Sequence, residues 1–164
     1  MYRYEDVKIV HLEVTERCQA GCPLCGRFEA SGSLNHNVTN STLSLSDAQA
    51  IFPKAFISQL KSMYMCGNFG DPIVAPDTLQ IFEMFRDANF RMKLQMYTNG
   101  GGKTPDWWRE LAGLLIPDTK SSVVFAIDGL EDTNHIYRKN VRWDKVMSSA
   151  ETFINAGGSA EWHY

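Results

Sequence analysis

The chain predicts an α/β fold: repeated βα units with a parallel sheet, a partial (β/α) TIM-like barrel of about five strands. Two observations carry this. Strand-like runs begin near residues 62, 92 and 122, a period of about thirty that fits one strand plus one returning helix. Each run ends in a short polar loop, and a stretch with helical signals follows.

The elements read as follows. "VKIVHLEV" (Val7 to Val14) is a β-branched apolar run and predicts the first strand. The cysteine-rich loop "CQAGCPLCGR" comes next, then a Ser/Asn/Thr-rich connector from Ser31 to Ser46 without internal repeats. Ser44 or Ser46 can cap a helix through "DAQAIFPKAFISQL", where Pro53 predicts a kink or a late start. "SMYMCGN" (Ser62 to Asn68) predicts the second strand. In "PDTLQIFEMFRDAN", Pro76 and Asp77 mark a helix start, and Leu79, Phe82, Met84 and Phe85 form its expected buried stripe. "RMKLQMYTNG" is the third strand. "TPDWWRELAGLL" is the next helix, with Thr104 as cap and Pro105 in its first turn. Trp107 and Trp108 are adjacent, so only one can point fully inward. "SSVVFAIDG" is the fourth strand, a helical region is expected from about Glu131 to Asn155, and "SAEWHY" begins a fifth strand.

In a parallel sheet with right-handed crossovers, the loops that follow the strands share one rim. The cysteine loop, "GNFGDP", "TNG" and "DG" are therefore expected to converge. A closed eight-stranded barrel takes about 250 residues. The expectation is accordingly one domain over residues 1–164, the N-terminal part of a longer core or a sheet whose edge a partner covers.

The net charge is −3, which gives no reason to propose nucleic acid as a partner. No apolar run reaches the ~18 residues of a membrane span, so no membrane is expected either. The N-terminus lacks the pattern of a signal peptide. A cytoplasmic location is the resulting expectation. There thiols stay reduced, and clustered cysteines point to metal or redox chemistry.

Cys18, Cys22 and Cys25 fall within eight residues, and the fourth cysteine, Cys66, is remote. A structural zinc site closes with four ligands. A 4Fe-4S cluster held by three cysteines keeps one iron open for a small molecule. Gly21 and Pro23 are expected to help the loop wrap. Three other readings stay open at this point: zinc completed by Cys66 or His36, inert thiols, and a scaffold that binds a cluster without turnover.

At these residues the chain resembles the radical SAM superfamily. "CQAGCPLC" matches the C-x3-C-x2-C signature of that family in its position after the first strand. "GNFGDP", "YTNG" and "AIDG" look like its later strand-end motifs, and "HIYRKNVRWDKVMSSAETFINAGG" is similar to its "YR" to "aG" stretch. Leu24 stands where the family usually has an aromatic residue, and Asp71 where it usually has Glu. The resemblance runs from about Val7 to Tyr164. It is greatest to enzymes with a C-terminal auxiliary-cluster (SPASM-type) domain, the peptide- and protein-modifying group.

The resemblance implies a 4Fe-4S cluster on Cys18, Cys22 and Cys25 and a bound S-adenosyl-L-methionine, cleaved reductively to a 5′-deoxyadenosyl radical that takes hydrogen from an unknown substrate, with a peptide or protein as the candidate. It implies that Gly67, Gly70 and Asp71 hold the ligand's amino group. Asn99 and Asp128 would reach its ribose or carboxylate, and Arg138 would pair with the carboxylate. Each has an ordinary alternative: a turn at "DP", "NG" or "DG", and a solvated charge at Arg138. A flavodoxin- or ferredoxin-type reductant is the implied partner. Cys66 is read as a buried strand-end residue. Arg27 is read as a countercharge to the cluster, a substrate contact or surface. Tyr64, Tyr97, Trp107, Trp108 and Phe125 are read as packing. His11, His36, His135 and His163 are given no catalytic role.

Overall fold

A computed structural model describes residues 3–164. Its five strands are β1 (Ile9–Leu12), β2 (Ser62–Met65), β3 (Lys93–Thr98), β4 (Ser122–Ala126) and β5 (Ala160–His163). They form one sheet in the order β1-β2-β3-β4-β5, and every neighbouring pair is parallel. The expected α/β partial barrel is therefore the fold, and "SAEWHY" supplies its fifth strand.

Side chains alternate across the sheet, as the pleat requires. Met63, Met65, Leu94, Met96, Val123 and Phe125 are buried in the apolar core with the helices. The helices of this layer are α1 (Leu45–Ile51), α2 (Lys54–Gln59), α3 (Thr78–Ala88), α4 (Pro105–Leu114), α5 (Asn134–Tyr137) and α6 (Trp143–Asn155). Trp108 is buried at their centre, 5.5 Å from the Phe125 ring and 6.4 Å from that of Phe153. Trp107 is only half-buried, so one of the two tryptophans points inward, as adjacency demands.

Local signals explain most element boundaries. Ser44, not Ser46, caps α1: its hydroxyl accepts from Asp47 N, and the Asp47 carboxylate accepts from Ser44 N. Pro53 ends the first segment and precedes α2, so the expected single helix is two. Thr104 caps α4 through Trp107 N, with Pro105 in the first turn. Asp77 precedes α3 but does not cap it with its side chain. Its carboxylate accepts from Leu45 N at 2.8 Å and so ties α1 to α3.

Three expectations need correction. In α3 the buried stripe is Leu79, Ile81, Phe82 and Phe85, while Met84 is half-exposed, because α1 and α2 cover one flank incompletely. The helix expected from Glu131 to Asn155 is broken between Tyr137 and Trp143. Asn140 adopts a left-handed φ of 66° there, and the Lys139 carbonyl turns to accept from Gly21 N at 2.9 Å. Gly21 takes no left-handed φ, and a Cβ there would meet Asn140 Nδ2 only at an ordinary contact distance of 3.4 Å, so neither backbone conformation nor crowding demands glycine at this position.

Candidate functional site

The carboxyl ends of β1 to β4 carry four loops, and all four contribute to one cavity at the cysteines. Cys18, Cys22 and Cys25 line one cavity of about 340 Å³ with Cys66, the 67–71 loop, Tyr97, Thr98, Asn99, Ala126, Arg138 and His163. Of the expected site residues, Cys18, Cys22, Cys25, Gly67, Gly70, Asp71, Asn99 and Arg138 are brought together. Asp128 does not line the cavity. It stands behind Arg138, whose Nε donates to its carboxylate.

The long β1–α1 connection is held by polar contacts, since it has little apolar surface of its own. One carboxylate oxygen of Glu16 accepts from Thr39 N, Thr39 Oγ1, Ser41 N and Ser41 Oγ at 2.6 to 3.1 Å. These donors hold the Glu16 carboxyl below its usual range. Arg27 donates to the carbonyls of Glu16 and Phe69 and to Asn40 Oδ1. Arg27, two residues after the third cysteine, thus clamps the cysteine loop to the loop after β2.

Glycine is required in that second loop. A Cβ on Gly70 would lie 1.8 Å from the Thr15 carbonyl oxygen, and one on Gly67 would lie 2.2 Å from the Gly70 oxygen. The two loops therefore touch backbone to backbone.

Asp71 is buried, and its carboxylate accepts four hydrogen bonds: from Ile73 N, Thr98 Oγ1, Asn99 N and Asn99 Nδ2, at 2.6 to 3.1 Å. Burial pushes this carboxyl up, and the donors from Asn99, Ile73 and Thr98 oppose the shift. Asn99 is buried too. It accepts from Gln19 Nε2 at 2.7 Å, so the end of β3 is bonded into the cysteine loop.

The thiols are not equivalent. Burial, and then the Asp71 charge, push Cys18 up to about 11. Burial also raises Cys22, against the pull of Arg138, whose Nη1 lies 3.7 Å from its sulfur. Cys66 is raised by burial and then by Glu13. Such thiols stay protonated at neutral pH until a cation replaces the proton. Among the described residues, no three His, Cys, Asp or Glu side chains converge on a point that would hold a single metal ion. The cysteines surround a space instead.

Sequence reasoning missed the cavity-lining role of Tyr97, Ala126 and His163, and it expected a buried Cys66, which is half-exposed at the cavity. A signal existed for one of them: Tyr97 precedes Asn99 by two residues, and residues two apart along a strand share a face. His163 lies on β5, paired with Ala126 of β4. Tyr97 was read as packing, but it is half-exposed in the cavity, its hydroxyl raised by burial and then by Glu161.

No family model matches the chain, and no curated protein sequence matches it. Solved structures do share its fold. Native anSMEcpe with bound AdoMet and Cp18Cys peptide superposes over 94% of this chain and 42% of its own, with a TM-score of 0.68 and 17% identity. BtrN in complex with AdoMet and 2-DOIA gives a TM-score of 0.61 at 13% identity, over 94% of this chain and 55% of its own. SuiB from Streptococcus suis, bound to S-adenosylmethionine, gives 0.62 at 17% identity, over 94% and 31% respectively. The chain thus spans about a third to just over half of these proteins. No helix among the described residues is long and apolar enough to cross a membrane.

Proposed function

We propose that this chain is the core of a radical SAM enzyme, in which Cys18, Cys22 and Cys25 hold a 4Fe-4S cluster and the cavity beside them takes S-adenosylmethionine. The observation that carries this reading is the convergence of three thiols from one short loop with the strand-end loops after β2 and β3 around a single cavity. Three thiols line that cavity, and three is the count that leaves one iron of a cubane open, since each thiolate takes its own iron. The donor set fits as well, since two of the sulfurs have N–H groups beside them.

When bound, such a cluster supplies the electron that cleaves the sulfonium and releases the radical. The chain's own residues bind and orient. Gly67 and Gly70 would offer backbone to the ligand's amino group, with Asp71 acting from behind through Asn99. Arg138 would meet the carboxylate with Nη2, which has no partner among the described residues. Asp128 would hold Arg138 in place. The reductant would be of the flavodoxin or ferredoxin type and the compartment the cytoplasm. The substrate would be a peptide or protein, and an auxiliary-cluster domain would belong to the whole protein.

The test is anaerobic reconstitution with iron and sulfide, then incubation with dithionite and S-adenosylmethionine. Formation of 5′-deoxyadenosine and methionine is expected. A full cluster with no 5′-deoxyadenosine would favour a binding scaffold, and stoichiometric zinc without iron would overturn the reading.

A further inference from the structure

Side-chain N–H groups reach two of the three cysteine sulfurs, and among the described residues none reaches the third. Asn99 Nδ2 lies 3.6 Å from Cys18 Sγ, and Arg138 Nη1 lies 3.7 Å from Cys22 Sγ. Ala20 N adds a backbone donor to Cys18 at 3.4 Å.

The Asn99 amide has one orientation that satisfies its neighbours. Its Oδ1 faces Gly101 N at 2.9 Å, a group that can only donate. Nδ2 must then face Cys18 and Asp71, where both partners accept. Arg138 carries only donors. Each donor is in turn held by a carboxylate, Asn99 by Asp71 and Arg138 by Asp128. Two chains of the same form result, Asp71–Asn99–Cys18 and Asp128–Arg138–Cys22. They come from different strand ends, and Cys25 has no counterpart.

We propose that Asn99 and Arg138 are positioning residues for the cluster: their N–H···S bonds hold the Cys18 and Cys22 thiolates and raise the cluster's reduction potential, leaving Cys25 as the unassisted ligand. This rests on the reading of the three cysteines as cluster ligands. Reduction adds negative charge that is shared with the thiolate sulfurs. A donor aimed at a sulfur stabilises the reduced form more than the oxidised one, and a cationic donor does so most. The two carboxylates serve as outer partners that fix the donors, in the way ligand orientation is commonly fixed around metals.

The test compares the parent chain, Asn99→Ala, Arg138→Met and Arg138→Lys after reconstitution. Iron and sulfide content, the midpoint potential from a redox titration and the iron–sulfur stretching frequencies are measured. Full clusters are expected in all four. Asn99→Ala and Arg138→Met should have more negative midpoints than the parent and shifted stretching frequencies, and Arg138→Lys should recover part of the difference. If Asn99→Ala does not fold, the Arg138 pair carries the test alone. Loaded variants with the parent's potential and frequencies would overturn the proposal. So would loss of iron in both Asn99→Ala and Arg138→Met from a parent that loads fully, since the residues would then only build the loop. A parent chain that takes up no iron would overturn the cluster reading itself.

Discussion

Asp71 and Arg86 are both buried charges, and among the described residues neither has an ion-pair partner. They sit at opposite ends of the sheet. Arg86, in the last turn of α3, donates to the carbonyls of Leu114, Phe90 and Met92 and to the hydroxyls of Thr119 and Ser121. All five of its N–H groups are used. Its partners all lie in the segments that lead into β3 and β4. Asp71 is equally satisfied, but one of its partners, Asn99, reaches on to Cys18 and Gln19. The same physical solution, a buried ion dissolved in hydrogen bonds, thus serves the scaffold at one end and the candidate site at the other. In parallel α/β proteins the carboxyl ends of the strands carry function and the amino ends carry stability.

Substitutions can break this division. Arg86→Leu strips donors from three carbonyls and two hydroxyls in a dry region and should cost about 3–5 kcal/mol, measured by urea unfolding. Folded Arg86→Leu should still load iron fully; a specific loss of iron would erase the contrast. Asp71→Asn turns an amide toward donors and should cost about 1–3 kcal/mol. Like Arg86→Leu it should load iron fully, but unlike Arg86→Leu it should make the midpoint potential of the loaded cluster more negative, because Asn99 is released. Glu16→Gln replaces an acceptor of four hydrogen bonds at the surface. Its midpoint of unfolding should match the parent's, while amide exchange at Thr39 and Ser41 speeds up. The smallest effect is expected for Cys66→Ser. Cys66 lines the cavity outside the cysteine loop, so iron content should be unchanged, and its loss would make Cys66 a ligand.

The layout was legible where it is written locally. β3 and β4 follow from their apolar runs, α1 and α4 from Ser44 and Thr104, and the cysteine loop from spacing alone. What escaped depends on residues far apart in the chain. Asn99 meets Cys18 across a separation of 81 residues and Arg138 meets Cys22 across 116, and no local pattern records either contact. The break at 138–142 escaped because a helix-compatible sequence is turned by a tertiary contact, the Lys139 carbonyl on Gly21. Met84 took the place of Ile81 in the expected stripe because periodicity does not say which flank the neighbouring helices leave open. Tyr97 looked like packing because an aromatic residue on a strand usually is.

The electron paramagnetic resonance spectrum of the reconstituted, dithionite-reduced chain, recorded with and without S-adenosylmethionine, tests the central claim most directly. The account predicts about four irons per chain, a reduced cluster signal that changes on addition of the ligand, and loss of that signal in Cys18→Ala, Cys22→Ala and Cys25→Ala but not in Cys66→Ser. A cluster signal that S-adenosylmethionine leaves unchanged, or a signal that survives removal of any one of the three cysteines, would contradict it.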